Sequence, residues 1–176
     1  MNIQTERIKL EPLGTKHFNT TCRYSTDPEN TKMMCFLPCD SDDEVMNYLR
    51  KCEIQWTMET PEYLDAAILS EGVHVGAVSI ELLDNCTVGE FGWIIDKNYW
   101  GRGFAVEAAE AFMKYVNNRF GLKRFIAHAD ADNSSSIRVM EKLGMRKKSI
   151  SSGRKNRSSE EERMECLYEL DLTAKC

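Results

Sequence analysis

The sequence predicts a mixed α/β fold, with one domain expected to span residues 1–176. Three observations predict this class. Apolar and polar residues alternate near the N-terminus, two neighbouring apolar runs form a hairpin pattern, and an apolar strand is joined to an amphipathic helix by a glycine-rich turn. No repeat or linker divides the chain, and its length suits one compact core.

The first strand is predicted close to the N-terminus. Ile8 and Leu10 alternate with charged residues, and Pro12 closes the run. Proline cannot donate a hydrogen bond to a central ladder, so the pattern indicates an edge or near-edge strand. A helix is expected over residues 16–24, followed by a loop with two prolines.

A capping box opens the second helix. Ser41 is followed three residues later by Glu44, and the apolar positions beyond them recur every three or four residues. The helix is expected to end near Pro61. Two apolar runs follow, over 63–69 and 73–83, and the Ser-Glu-Gly between them is typical of a β-hairpin.

The stretch from Tyr99 to Ala105 is the most informative part of the chain. It joins a predicted strand over 88–95 to a helix whose apolar face begins at Phe104. The free N–H groups of a helix's first turn and the positive end of its dipole form an anion site, which glycines make accessible to a diphosphate. Such turns also occur as tight connections without a ligand, so other features of the chain must show whether this turn binds a phosphate.

Two more strands and a short helix complete the prediction. A strand is expected over 124–129, and Asn133 caps a helix that Gly144 ends. Residues 151–162, rich in serine and charged residues, are expected to form a mobile polar loop. The last strand, over 164–172, alternates in polarity and should bury one face.

Composition limits the classes of function. A formal net charge of −5 argues against a nucleic-acid binder and favours cationic small molecules or basic peptides as partners. The chain has no apolar signal segment and no run of about 18 apolar residues, so we expect a cytoplasmic protein without membrane contact.

Cysteine and histidine patterns indicate neither a metal site nor a nucleophile. The cysteines have no repeated spacing and are expected to be reduced thiols; they are Cys22, Cys35, Cys39, Cys52, Cys86, Cys166 and Cys176. Cys35 and Cys39 lack the further ligands that a metal needs, so no metal is expected. The three histidines, His17, His74 and His128, are expected to be structural or surface residues.

A Rossmann-type nucleotide-binding fold is one alternative. Asp130 or Asp132 would then supply the acid that binds a ribose hydroxyl. However, Val106 stands in place of the third glycine of that fingerprint, and too little chain remains for six parallel strands. The chain also contains no Gly-x-x-x-x-Gly-Lys-Ser/Thr phosphate loop.

A second motif adds a family resemblance. Trp-Gly-Arg-Gly-Phe-Ala, from Trp100, is followed by Asn-x-x-Ser-x-x-x-x-x-Lys-x-Gly, from Asn133. With the order of elements, these motifs resemble the GNAT superfamily of acetyl-CoA-dependent N-acetyltransferases. The likeness is closest to the Rim-type branch that acetylates ribosomal-protein N-termini, whose first strand residues 5–13 resemble. It covers nearly the whole chain and is specific for superfamily and cofactor, but not for the acceptor.

The resemblance implies a GNAT-like fold, a strongly twisted mixed sheet of six or seven strands flanked by about four helices. Its fourth strand, over 88–95, and fifth strand, over 124–129, would splay apart and admit the pantetheine of acetyl-CoA as a surrogate strand. The residues implied to bind acetyl-CoA are Trp93, Ile94, Ile95, Gly101, Arg102, Gly103, Phe104, Ala105, Asn133 and Arg138. Arg102 would contact the diphosphate or face solvent, and Arg138 or Lys142 would reach the nucleotide end or lie on the helix surface.

The chemistry requires a base, because an amine is mostly protonated at neutral pH and attacks a thioester only when neutral. The resemblance suggests Glu90, acting directly or through water, with Glu81 and residues 160–162 as alternatives. Many members use a tyrosine to protonate the leaving thiolate, but Met140 occupies that position. Ser136 is therefore expected to donate this proton or to orient pantetheine. Direct transfer needs no cysteine nucleophile.

The expected function is acetyl transfer from acetyl-CoA to a primary amine, either a protein N-terminal α-amine or a small-molecule amine. An acyl-CoA-binding module without turnover is the other alternative, favoured by the missing tyrosine. Acceptor selection is expected in residues 16–58 and 151–162, whose acidic side chains would attract a polyamine, an aminoglycoside or a basic peptide, or are simply solvated. The oligomeric state stays open, a homodimer being one option.

Overall fold

The computed structural model describes residues 1–173 and places eight strands of this range in one sheet. The strands are β1 (Ile3–Gln4), β2 (Lys9–Pro12), β3 (Tyr63–Ser70), β4 (Val73–Leu83), β5 (Val88–Ile95), β6 (Arg124–Asp130), β7 (Arg146–Lys155) and β8 (Glu162–Asp171). Their order in the sheet is β1-β2-β3-β4-β5-β6-β8-β7. The α-helices of the described range are α1 (Phe18–Ser25), α2 (Pro28–Thr31), α3 (Asp42–Thr57), α4 (Phe104–Phe120) and α5 (Ser134–Lys142).

The predicted mixed α/β class is confirmed, but the sheet has eight strands rather than six or seven. The additional strands are the two-residue β1 and the edge strand β7. The prediction of a mobile loop over 151–162 was wrong for residues 151–155, which belong to β7. Both faces of β7 are largely exposed, so its sequence lacks the alternation that marks a half-buried strand.

The Rossmann alternative is wrong, because β5 and β6 are the only strands of residues 1–173 that pair in parallel. A doubly wound fold requires a mainly parallel sheet. Asp130, one of the acids considered for a ribose, is instead buried. Its carboxylate accepts hydrogen bonds from the side chains of Arg163 and Asn156.

The N-terminal elements follow the sequence prediction closely. β2 lies next to the edge, between β1 and β3. Ser41 caps α3 by accepting the N–H of Glu44 at 3.2 Å, while the Glu44 carboxylate accepts the N–H of Asp40 at 2.7 Å. The β3–β4 turn contains Glu71 and Gly72 with φ of 50° and 78°, the left-handed conformations that a tight hairpin requires.

Two layers of helix cover the sheet. Phe112 of α4 is fully buried in the main core, and the ring of Phe91 from β5 meets it edge-on at 6.1 Å. On the opposite face, α3 buries Leu49 in a smaller cluster with Ala67 and Ala77 of the sheet. Successive residues of a strand face opposite layers, so α4 and α3 contact alternate residues of the central strands.

A carboxyl group is buried beneath α3. Asp65 of β3 accepts a hydrogen bond from the Tyr48 hydroxyl at 2.8 Å and lies 3.6 Å from the Cys52 sulfur. The indole N–H of Trp56 donates to the Asp65 carbonyl at 2.7 Å. Burial raises the pKa of the Asp65 carboxyl to about 6, an increase that the Tyr48 hydrogen bond only partly offsets.

β5 and β6 splay apart, as the resemblance implies for the two strands over 88–95 and 124–129. Their parallel ladder joins residues 88–90 to residues 124–126. On its other side, β5 remains paired with β4 as far as Ile95. A gap therefore opens in the sheet beyond Glu90 and Ile126.

Candidate active site

The gap exposes one edge of β5. The N–H of Asp96 donates to the carbonyl of Val75 on the β4 side at 2.8 Å. Backbone groups of successive strand residues point in opposite directions, so those of Ile94 also point toward β4, whereas those of Trp93 and Ile95 point into the gap. The backbone groups of Ile94 are therefore not available to a ligand in the gap, contrary to the prediction that Ile94 binds acetyl-CoA there. The Ile95 carbonyl accepts the Trp100 indole N–H at 2.8 Å.

The glycine turn shapes the start of α4. Gly101 and Gly103 have φ of 75° and 80°, a left-handed conformation that strains any residue with a Cβ. Gly103 is the N-cap of α4 and supplies no side-chain cap. The first N–H groups of this helix, including those of Phe104 and Ala105, lack intrahelical partners. With the helix dipole, these N–H groups suit the anion that the sequence predicts at this turn.

Arg7 braces this turn from the N-terminal segment. Its guanidinium donates to the Arg102 carbonyl at 2.8 Å, forms an ion pair with Glu107 at 2.6 Å and lies 5.5 Å from the centre of the Phe104 ring. Sequence reasoning missed Arg7, because its partners lie about 100 residues away. The Arg102 side chain is exposed and lies over the Tyr99 ring at 5.0 Å.

The start of α5 lies directly after β6. The Asn133 side-chain oxygen caps α5 by accepting the Ser136 N–H at 3.1 Å, which leaves the Asn133 amide nitrogen for a ligand. Ser136 is half-buried. Arg138 is exposed and folds back onto Ser134, so it lies on the helix surface. Met140 is fully buried in the main core.

Glu90 has a partner that sequence reasoning did not identify. The Nδ1 of His128 lies 2.9 Å from Glu90 Oε1, on the sheet face opposite α4. The exposed fractions of the two side chains are 29% for His128 and 33% for Glu90, so solvent or a ligand reaches both. The Glu90 hydrogen bond raises the pKa of His128 despite the opposing effect of burial.

The other predicted carboxylates form no hydrogen bond with this pair within residues 1–173. Glu81 is the partner of Glu90 across the β4–β5 ladder and is exposed. Glu160 and Glu161 are exposed in the turn between β7 and β8, and Glu162 begins β8. No sequence signal joined Glu90 to His128, because strand alternation gives a face but not the neighbouring strand.

Residues 32–41, here called the crossing loop, start beside the end of β5. The Lys97 N–H donates to the Asn30 side-chain oxygen at 2.6 Å, and the Lys97 ammonium forms an ion pair with Asp27 at 2.7 Å. These contacts fix α2 to the segment that follows β5. The crossing loop therefore leaves from the β5 side of the gap.

The crossing loop is fixed to the β7–β8 hairpin from Met33 near its start to Asp40 near its end. Arg154 donates to the Met33 carbonyl at 2.9 Å and pairs with Glu165 at 2.6 Å. Arg157 pairs with Glu44 at 2.7 Å and also with Asp40. Glu165 is opposite Asp130 in the β6–β8 ladder, on the face that carries His128. The crossing loop thus spans the gap on the side of the Glu90–His128 pair.

The cysteines and other possible metal ligands form no further site within residues 1–173. The six cysteines within residues 1–173 are free thiols, and Cys176 lies outside the described residues. In the same range, no three His, Cys, Asp or Glu side chains are arranged to hold a metal ion. Nor does any helix of residues 1–173 combine the length and apolar character needed to cross a membrane.

The divided sheet and the uncapped glycine turn beside it define the class of protein. Both are features of the acyl-CoA N-acyltransferase fold implied by the sequence motifs. Residues 7–146 match the family model of the acetyltransferase (GNAT) domain, and the chain belongs to this family of acetyl-CoA-dependent acetyltransferases.

Known relatives agree with this assignment. The uncharacterized N-acetyltransferase p20 of Bacillus licheniformis is 25% identical over 150 residues, which cover 84% of each chain. A GNAT-family acetyltransferase of Bacillus anthracis has a TM-score of 0.82 at 24% identity, covering 97% of this chain and 98% of that one. RimL, a ribosomal L7/L12 α-N-protein acetyltransferase solved with coenzyme A, has a TM-score of 0.87 at 13% identity, covering 99% of each chain. These structures share the fold of this protein.

Proposed function

We propose that this protein transfers the acetyl group of acetyl-CoA directly to a primary amine. One observation carries the proposal: the open edge of β5 leads, within a few residues, to the uncapped N-terminus of α4. The first feature suits the amides of pantetheine and the second suits a diphosphate. Coenzyme A presents these two groups in the same order.

The cofactor residues follow from this placement. The backbone groups of Trp93 and the N–H of Ile95 would pair with pantetheine. The N–H groups of residues 101–105 would bind the diphosphate, and the Asn133 amide would donate to pantetheine. Arg102 and Arg138 are exposed side chains, so any contribution from them would be charge attraction to the phosphates.

The acceptor would approach from the face opposite α4, beneath the crossing loop. There the Glu90–His128 pair would take a proton from the amine. Ser136, half-buried at the start of α5, would donate a proton to the departing thiolate. Burial raises the pKa of Cys35 and of Cys39, which keeps these nearby thiols protonated and favours direct transfer over a covalent enzyme intermediate.

For the acceptor we propose an α-amine at a protein N-terminus or a small-molecule amine. RimL is a ribosomal L7/L12 α-N-protein acetyltransferase by name, and an α-amine loses its proton more readily than a lysine side chain. The acidic residues Asp40 and Glu44 give little support for a polyamine, because Arg157 pairs with both. Glu160 and Glu161 are exposed, and no basic side chain of residues 1–173 forms an ion pair with either of them.

Two measurements test the proposal. Calorimetric titration with coenzyme A and with NAD should show binding of coenzyme A alone. A mass-spectrometric screen with acetyl-CoA should then detect acetylation of at least one amine among short peptides, spermidine, kanamycin and lysine. Glu90→Gln should lower the rate, while Glu110→Gln, an exposed carboxylate on α4, should not.

The outcomes separate the alternatives. Binding of coenzyme A without acetylation of any amine would favour an acyl-CoA-binding module, consistent with a buried Met140 in place of a tyrosine donor. Failure to bind coenzyme A would contradict the proposed use of β5 and the glycine turn.

A further inference from the structure

We infer that His128 is the base that deprotonates the acceptor amine and that Glu90 is the positioning residue that orients it. The inference rests on the proposed acetyl transfer to an amine. It reverses the roles that the sequence suggests, in which Glu90 is the base and His128 has no part in the reaction.

The contact with Glu90 fixes the orientation of the His128 ring. A histidine that donates Nδ1–H to a carboxylate is fixed in one orientation and one tautomer, with Nε2 left as the basic nitrogen. His128 makes this contact with Glu90 at 2.9 Å. No other group of residues 1–173 forms a hydrogen bond with the imidazole, so Nε2 is available to a substrate.

Glu90 and His128 occupy different positions along the gap between β5 and β6. Glu90 and Ile126 form the last residue pair of the parallel ladder before β5 and β6 separate. His128 lies two residues further on, where the strands have parted, and a continued ladder would place it beside Gly92. Gly92 has no side chain on that face. The imidazole therefore borders the open gap, whereas the Glu90 carboxylate lies at its closed end.

Charged side chains of the neighbouring strands face the His128 imidazole. Glu90 on β5, Glu165 on β8 and Arg154 on β7 act on it, the carboxylates favouring the protonated ring and the guanidinium opposing it. Arg154 is paired with Glu165 at 2.6 Å, so the charges of these two largely cancel. Glu169, further along the same face, is paired with Lys148 at 3.1 Å. Glu81, across the β4–β5 ladder from Glu90, is exposed to solvent. Glu90 therefore dominates and raises the pKa of the imidazole, which favours its use as a base.

The acceptor ammonium gives up two protons in the proposed step. The ammonium form of the acceptor gives one proton to His128 Nε2, and the freed lone pair attacks the carbonyl carbon of the thioester. A C–N bond forms and the C–S bond breaks. Ser136 gives its hydroxyl proton to the departing sulfur and regains one from the second N–H of the nitrogen, and the proton on Nε2 returns to water. The products are the amide, the free thiol and one proton.

The test compares kcat/KM across pH for the wild type, His128→Gln and Glu90→Gln, using the best acceptor from the amine screen. His128→Gln should lose on the order of 10²-fold or more and also lose the wild-type acid limb. Glu90→Gln should retain more activity than His128→Gln, with its acid limb moved to lower pH, because the neutral amide no longer favours the imidazolium. Coenzyme A affinity should be unchanged in both variants, which controls for folding and cofactor binding.

A larger loss in Glu90→Gln than in His128→Gln would overturn the inference and assign the base to Glu90. His128→Gln with wild-type activity and pH profile would overturn it as well. NMR titration of the His128 ring provides a readout that needs no turnover: its pKa should fall in Glu90→Gln, and an unchanged value would refute the orienting role. If the wild type acetylates no amine while this coupling is observed, the proposed function fails and the pairing stands.

Discussion

Asp65 offers a test of how the buried carboxyl beneath α3 affects stability. Its pKa of about 6 exceeds the ordinary value of 3.8, so the folded state binds more protons than the unfolded state between these two values. The Asp65 carboxyl therefore does not lower the free energy of unfolding below about pH 3.8. The free energy of unfolding falls as the pH rises from there through 6. At about 1.4 kcal/mol per pKa unit, the loss is about 3 kcal/mol above pH 7.

Asp65→Asn removes this titration while keeping an oxygen that accepts the Tyr48 hydrogen bond. The stability of the variant minus that of the wild type should therefore rise by about 3 kcal/mol between pH 3.5 and pH 7.5. Urea unfolding of both proteins at a series of pH values measures this difference. His74, whose pKa burial lowers to about 4, destabilises the fold as pH falls below 6.5, but this effect is common to both proteins and cancels.

The result that would refute the reasoning is a stability difference that does not change with pH. It would mean that Asp65 titrates alike in the folded and unfolded states, and that the contact with Tyr48 compensates burial fully. Tyr48→Phe is the companion variant: removing the hydrogen bond should raise the pKa of Asp65 further and steepen the wild-type pH dependence.

Three further predictions concern the site. Gly103→Ala should weaken coenzyme A binding in calorimetry and cost about 1 kcal/mol in stability, while Gly72→Ala, at nearly the same φ in an exposed turn, should cost similar stability without changing affinity. Ser136→Ala should lower kcat on the order of 10²-fold at unchanged coenzyme A affinity, and steady-state kinetics with unaltered kcat would exclude it as the thiolate's donor. Arg157→Ala should raise the KM for the acceptor, because the ion pairs that join the β7–β8 hairpin to Asp40 of the crossing loop and to Glu44 of α3 are lost, and leave the KM for acetyl-CoA unchanged.

Much of the fold was predictable because local patterns agree with the final packing. The hairpin at 70–72, the capped start of α3 and the glycine-terminated α4 each depend on neighbouring residues only. β7 was missed for the opposite reason, since an edge strand with both faces in solvent has no polarity pattern to detect.

The candidate site was predictable only in part. The glycine turn is continuous in sequence, so its left-handed conformation at the start of α4 could be inferred directly. The contacts of Arg7 with Arg102 and of His128 with Glu90 join distant segments, and no local pattern encodes them. The direction of the Ile94 backbone likewise depends on which neighbour β5 pairs with, a property of the sheet rather than of the strand.

The gap has a consequence for how this sheet avoids aggregation. An unpaired strand edge is ordinarily a hazard, because it can recruit another polypeptide. The open edge of β5 lies inside the sheet, between β4 and the diverging β6, where only a slender extended molecule can reach it. The outer edges are protected differently, at one end by a strand of two residues and at the other by the many lysines and arginines of β7. The molecule can thus keep a receptive edge permanently available without offering it to other proteins.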